Sequence, residues 1–133
     1  MSFQWADYLA VARHLESHST TSDYQEGCLR AAVSRAYYAA LNTARNFLRD
    51  QWGIEVPGEM IHKDVPRWFM DAAEMGYIDI DDDEIGYEIG VLLDRLRGRR
   101  RQADYDDKVS GLSSLADISL EDAQLVVERI STL

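Results

Sequence analysis

The chain has 133 residues, 46% of them hydrophobic and 29% charged, and a formal net charge of -10 at pH 7. This is the composition of one globular domain of ordinary size, which excludes intrinsic disorder. The negative surplus excludes whole-surface attraction to nucleic acid, which needs a positive face, and leaves room only for a local basic site.

In chain order, apolar residues recur at helical spacing and strand signals are nearly absent. A first helix is expected from about Phe3 to His18, with Trp5, Tyr8, Leu9, Ala12 and Leu15 on one face. The "HSTTSD" stretch breaks it, and Ser22 or Asp23 is suited to cap the next. That second helix runs from about Tyr24 to Trp52 and stops at Gly53. Its stripe is Leu29, Val33, Ala36, Tyr37, Ala40, Leu41, Ala44, Phe47 and Leu48, with small residues that let a neighbour come close.

After the loop "GIEVPGE", a shorter helix is expected from about Asp64 to Met75, with Pro66 in its first turn and Gly76 closing it. Asp81, Asp82, Asp83 and Glu84 then stand where the start of a fourth helix welcomes negative charge. Ile85, Ile89, Leu92, Leu93 and Leu96 point that helix inward, and its pattern continues to about Tyr105. A Gly/Ser-containing connection follows, and Ser119 with Asp122 reads as a capping box for a last helix carrying Ala123, Val126, Val127 and Ile130. The sum is an all-α, up-and-down bundle of four to five helices in a single domain spanning residues 1–133.

Most familiar chemistry is missing. "DIDDDEIGYEIG" alternates acids like a calcium loop, but Glu84 stands where the turn glycine belongs and Gly90 where the closing glutamate does. His14, His18 and His62 have no metal-ligand spacing, and no glycine-rich phosphate loop or nucleophile elbow occurs, so neither metal nor cofactor is expected. The single cysteine, Cys28, cannot form an intramolecular disulfide. With no secretory leader at Met1–Trp5 and no apolar run near the roughly 20 residues a bilayer demands, a cytoplasmic protein without membrane attachment is expected.

The unusual feature is "RLRGRRRQADYDD", Arg95 to Asp107, with five arginines in its first seven residues. Of fourteen basic side chains only Lys63 and Lys108 are lysines, and arginine's flat fork suits carboxylate and phosphate alike. Arg97, Arg101 and Asp104 share a face beside the apolar stripe, and Arg100 falls within the stripe itself. A charge directed into apolar surroundings needs a carboxylate, a partner chain or a phosphate. Asp104 can pair with Arg100 at a spacing of four or with Arg101 at three. On the second helix Arg35, Tyr38, Asn42, Arg45 and Arg49 recur at spacings of three, four, three and four, the period of a helix seam filled with polar groups.

"LRAAVSRAYYAALNTARNFL", then "IHKDVPRWF", then "LDRLRGRRRQADYDD" together resemble the HEPN-domain family, in its small prokaryotic branch with Ser-Arg-x-Tyr-Tyr-Ala and Arg-x-x-Ala-Asp-Tyr segments. The resemblance implies a helical bundle, commonly a homodimer, paired with a minimal nucleotidyltransferase in a toxin-antitoxin-like system. Many members are metal-independent ribonucleases whose arginine is followed four to six residues later by a histidine. Here Gln102-Ala103-Asp104-Tyr105 follows instead, and a carboxylate near neutral pH has no proton to donate. What the resemblance carries over is therefore the cleft, with the catalytic residues left unassigned: Ser34, Arg35 and Tyr38 beside Arg97, Arg100, Arg101, Asp104 and Tyr105, with His62 as an accessory group.

Three functions follow. The first is a binding module whose arginines hold a nucleotide, RNA or a nucleotidyltransferase partner while a tyrosine stacks or hydrogen-bonds. The second is a purely structural bundle in which the arginines pair with Asp104, Asp106, Asp107 and the acids at 81–84. The third is a divergent ribonuclease that would draw on His62. The sequence favours them in that order.

Overall fold

The longest apolar stripe becomes the central helix of the fold. In the computed structural model, which describes residues 3–19 and 24–133, α2 spans Gln25–Trp52 and is packed against by α1 (Asp7–His18), α3 (Ile61–Met70), α4 (Asp83–Tyr105) and α5 (Leu112–Ser131). The chain is an all-α bundle, and no strand occurs among the described residues. Tyr37, Leu41, Leu48, Phe69, Ile89, Leu93, Leu96 and Val126 are fully buried, each worth about 1.5–3 kcal/mol against exposure for residues of this size. Among the described residues no helix is long and apolar enough to cross a membrane.

Helix ends show where local signals were overridden. Gly53 closes α2 as its spacing predicts, whereas the Ser22/Asp23 cap falls outside the described residues. The third helix starts at Ile61, a turn earlier than expected, and ends at Met70 rather than Met75. Pro66 therefore sits in its second turn, not its first. Beyond Met70 the chain turns back so that Tyr77 stacks on Trp52, with ring centroids 5.2 Å apart, and meets Trp68 edge-on. Gly76, at φ 84°, supplies that turn.

The capping box at Ser119 and Asp122 is a correction. α5 begins at Leu112, so Ser119 lies mid-helix and is fully buried, and Asp122 instead accepts from Arg99 at 2.6 Å. The extra turns are drawn into the helix by packing: Ala116 and Leu112 join Leu29, Val33 and Ala103 in a small second core.

α3 and α4 run antiparallel at very close range. A Cβ added at Gly86 would lie 2.6 Å from the Phe69 carbonyl oxygen, and one at Gly90 would lie 2.6 Å from that of Pro66. This register sets the part of α3 before Pro66 opposite the part of α4 beyond Gly90, and so His62 toward the arginine-rich end.

Candidate functional site

Three helices converge on one cationic cluster. α2 contributes Tyr37 and Tyr38, α3 contributes His62, and α4 contributes Arg100. Arg100 is only 9% exposed, and its Cζ lies 5.3 Å from the Tyr37 ring centroid and 5.6 Å from that of Tyr38. Both distances allow cation–π attraction. Its one carboxylate partner among the described residues is Asp104, reached from Nη1 at a long 3.4 Å, and its Nε is buried with no hydrogen-bond partner there. Burial alone would lower the Arg100 pKa, but Tyr38 and the bond to Asp104 outweigh it and the net shift is upward. The guanidinium is thus fixed, charged and short of acceptors.

His62 meets the hydroxyl of Tyr37 through Nδ1 at 2.5 Å, with the two rings nearly parallel. Burial, followed by the charges of Arg100 and Arg97, pushes the imidazole below its ordinary pKa. Burial pushes the Tyr37 phenol up, against the pull of the same two arginines. Both groups are therefore neutral at pH 7. A phenol is the better proton donor and an imidazole nitrogen the better acceptor, so we assign the Tyr37 O–H as donor and leave the remaining proton on Nε2. Tyr38, His62 and Arg97 are half-buried, which leaves this edge of the cluster accessible.

The expected cleft is thus gathered in part. Tyr38, Arg100, Asp104 and His62 come together, and Arg97 is near enough for its charge to act on His62 and Tyr37. Ser34 is buried one turn before Tyr37 and Tyr38 on α2. Arg35 is engaged elsewhere, with its Cζ 5.2 Å from the Tyr8 ring on α1. Arg101 is exposed and makes no ion pair among the described residues, so Asp104 pairs with Arg100 rather than with it. Tyr105 is 72% exposed. The polar line on α2 likewise divides: Asn42 donates to the Tyr38 carbonyl, while Arg49 pairs with its neighbour Asp50.

Two participants were not foreseen. The periodicity places Tyr37 in the apolar stripe, and its ring does belong there, but its hydroxyl reaches the cluster. A tyrosine in a stripe of Leu, Val and Ala was the available signal. Arg30 donates to the carbonyls of Ala103, Asp106 and Asp107 and to Glu26, which anchors the end of α4 and the strand of chain after it. No local pattern could announce that contact, because it joins residues more than seventy positions apart.

No protein-family model, curated protein or solved structure matches the chain.

Hollows occur elsewhere on the surface, and one of about 180 Å³ brings Arg45 and Arg49 together with Glu55. One of about 310 Å³, lined by Asp64, Arg67, Trp68, Asp71 and Met75, opens on the face of α3 opposite His62. Another, of about 320 Å³ between α1 and α5, is lined by Arg13, Glu16, Asp117, Glu121, Gln124 and Glu128 among others. No set of three or more His, Cys, Asp and Glu placed to hold a metal occurs among the described residues.

The α1–α5 hollow instead makes stability depend on pH. Burial, then the neighbouring Asp117 carboxylate and, less, the charge of Glu121, raise Glu16 from 4.5 to about 7, against a pull from Arg13. A folded pKa above the unfolded one means that the native state holds the proton more tightly. Stability is complete below about 4.5 and declines as pH rises toward about 7. Glu16→Gln, which imitates the protonated acid, is expected to raise the melting temperature by a few degrees at pH 8 and to change it little at pH 5. Thermal melts at both values check this, and an equal gain at each would contradict it.

Proposed function

We propose that the chain is a HEPN-like helical module that binds the phosphate of a nucleotide or RNA at the cluster of Arg97, Arg100, His62 and Tyr38. The observation that carries this reading is the state of Arg100. It is a largely buried guanidinium backed by two tyrosine rings, and its one bond to a carboxylate is long. A phosphate oxygen is the complementary group, and Tyr38 offers a ring edge or hydroxyl beside it. The family resemblance adds two expectations, a homodimer and a nucleotidyltransferase partner in a toxin-antitoxin-like pair. The test is titration with a nucleoside monophosphate and with a short single-stranded RNA at low salt. Micromolar to millimolar binding that weakens as salt rises is expected; no binding of either at low salt would overturn the reading.

One observation favours a second reading, metal-independent ribonuclease activity. His62 reaches the arginine cluster from α3, in place of a histidine following the arginines in sequence. In the other tautomer, with Nδ1–H donating to the Tyr37 oxygen, the neutral imidazole would present Nε2 to take a proton from a ribose hydroxyl while the arginines stabilise the charged phosphorus centre. Cleavage of single-stranded RNA in the presence of chelator, reduced at least about 100-fold in His62→Ala, is the outcome this reading predicts. Cleavage unaffected by the substitution, or none at high protein concentration, would remove it.

A further inference from the structure

The charges around the cluster specify which phosphate it takes. The imidazole of His62 meets Tyr37 and Tyr38 of α2, and the charges of Arg97 and Arg100 on α4 act on it, with Asp94 acting on Tyr37 and Asp104 bonded to Arg100. The arginines at 97 and 100 supply two positive charges and Asp94 and Asp104 two negative ones, so with His62 neutral these groups balance. A phosphodiester, carrying one negative charge, would leave an excess of one beside the imidazole. A terminal phosphate, carrying close to two, would leave about twice that excess beside a neutral imidazole.

We propose, building on the anion-binding reading above, that the cluster selects doubly charged oxyanions such as a terminal phosphate and takes up one proton from water onto His62 as it binds them. The proton joins Nδ1. The Tyr37 oxygen, which donated to that nitrogen, then accepts from it, and Nε2–H remains available to the anion. No bond other than these hydrogen bonds changes. Burial is the larger obstacle to the imidazolium and remains, but the two guanidinium charges that add to it are the ones that the anion neutralises, so binding eases protonation.

Sulfate is the probe of choice, because its double charge is fixed across the range in which histidine titrates. The chain has only His14, His18 and His62, so their ring signals can be followed separately by NMR as pH is varied. At constant ionic strength, saturating sulfate is expected to raise the His62 midpoint by about one unit, with dimethyl phosphate, a singly charged diester, moving it far less. His14 and His18, whose rings lie tilted against each other with centroids 4.2 Å apart on the exposed side of α1, report any general salt effect. By linkage, sulfate affinity should fall roughly tenfold as pH rises through the window between the free and bound midpoints, and should lose that dependence in His62→Gln. Sulfate that binds while the His62 midpoint moves no more than those of His14 and His18 would overturn the proton uptake and leave the anion site standing. Equal shifts with sulfate and dimethyl phosphate would overturn the selectivity. Failure of sulfate, phosphate and nucleotide alike to perturb signals of Tyr37, Tyr38 or His62 would overturn the anion site and this inference together.

Discussion

Arg100→Ala is expected to weaken phosphate or nucleotide binding roughly 10- to 100-fold, the equivalent of one charge-assisted hydrogen bond at about 1.5–3 kcal/mol. Arg101→Ala should weaken it only two- to threefold, since an exposed arginine without an ion pair contributes a screened charge. The contrast matters because the two residues are adjacent and identical in charge, so a general electrostatic effect would treat them alike. Isothermal titration of each variant at fixed low salt measures it. Arg100→Met, which keeps much of the stem that lies over Tyr37 and Tyr38, separates packing from charge. Binding that survives in Arg100→Ala would refute the site, whatever the melting temperature did.

The structural alternative has a real location in the same helix, one residue earlier. Arg99 meets Asp122 at 2.6 Å with both side chains largely buried, and thereby ties α4 to α5. Arg99→Ala should lower the melting temperature and leave ligand affinity unchanged. The arginine run is therefore not one feature. Arg99 is a clasp between helices, Arg100 is a buried cation short of acceptors, and Arg95 and Arg101 are solvated. Pairing between these arginines and the acids at 81–84 does not occur among the described residues.

This division marks what the sequence could disclose. Helix periodicity found all five helices, because an apolar stripe is a local property that burial then enforces: Leu93 and Leu96 are buried as their spacing requires. It also found that Arg100 lies within the stripe. Boundaries governed by distant packing were another matter. Ser119 looks like a cap only if the segment before it is loop, and what makes that segment helical is Ala116 settling against Leu29 and Val33 on α2. In the same way His62 has no meaningful spacing from Arg100 in the chain. Its position in the cluster depends on the antiparallel register of α3 against α4, which is written in glycines rather than in any charged residue.

Those glycines support the second large prediction, and it joins fold to site. In Gly86→Ala/Gly90→Ala each new methyl group would fall 2.6 Å from a backbone oxygen of α3, and the one at 90 would also lie 2.4 Å from Met70 Cγ. Met70 can move aside, but the carbonyls of Phe69 and Pro66 cannot without shifting α3 as a whole. Alanine gains up to about 1 kcal/mol of helix propensity over glycine at each position. Forcing two packed backbones apart costs more, because lost contacts along α3 add to typical overpacking penalties of about 1–3 kcal/mol per site. The net expectation is a loss of about 2 kcal/mol and a melting temperature lower by roughly 6–10 °C. Gly98 lies in the same helix with nothing within 4 Å of an added Cβ, so Gly98→Ala should go the other way and stabilise by up to about 1 kcal/mol. Opposite signs for one substitution type within one helix cannot come from propensity alone. Because α3 also carries His62, its displacement should break the contact with Tyr37 and return the His62 midpoint toward the ordinary histidine value, which the NMR titration of the double variant would read directly. A double variant as stable as the parent, with His62 titrating as before, would mean that the close approach of α3 and α4 does not set the geometry of the cluster.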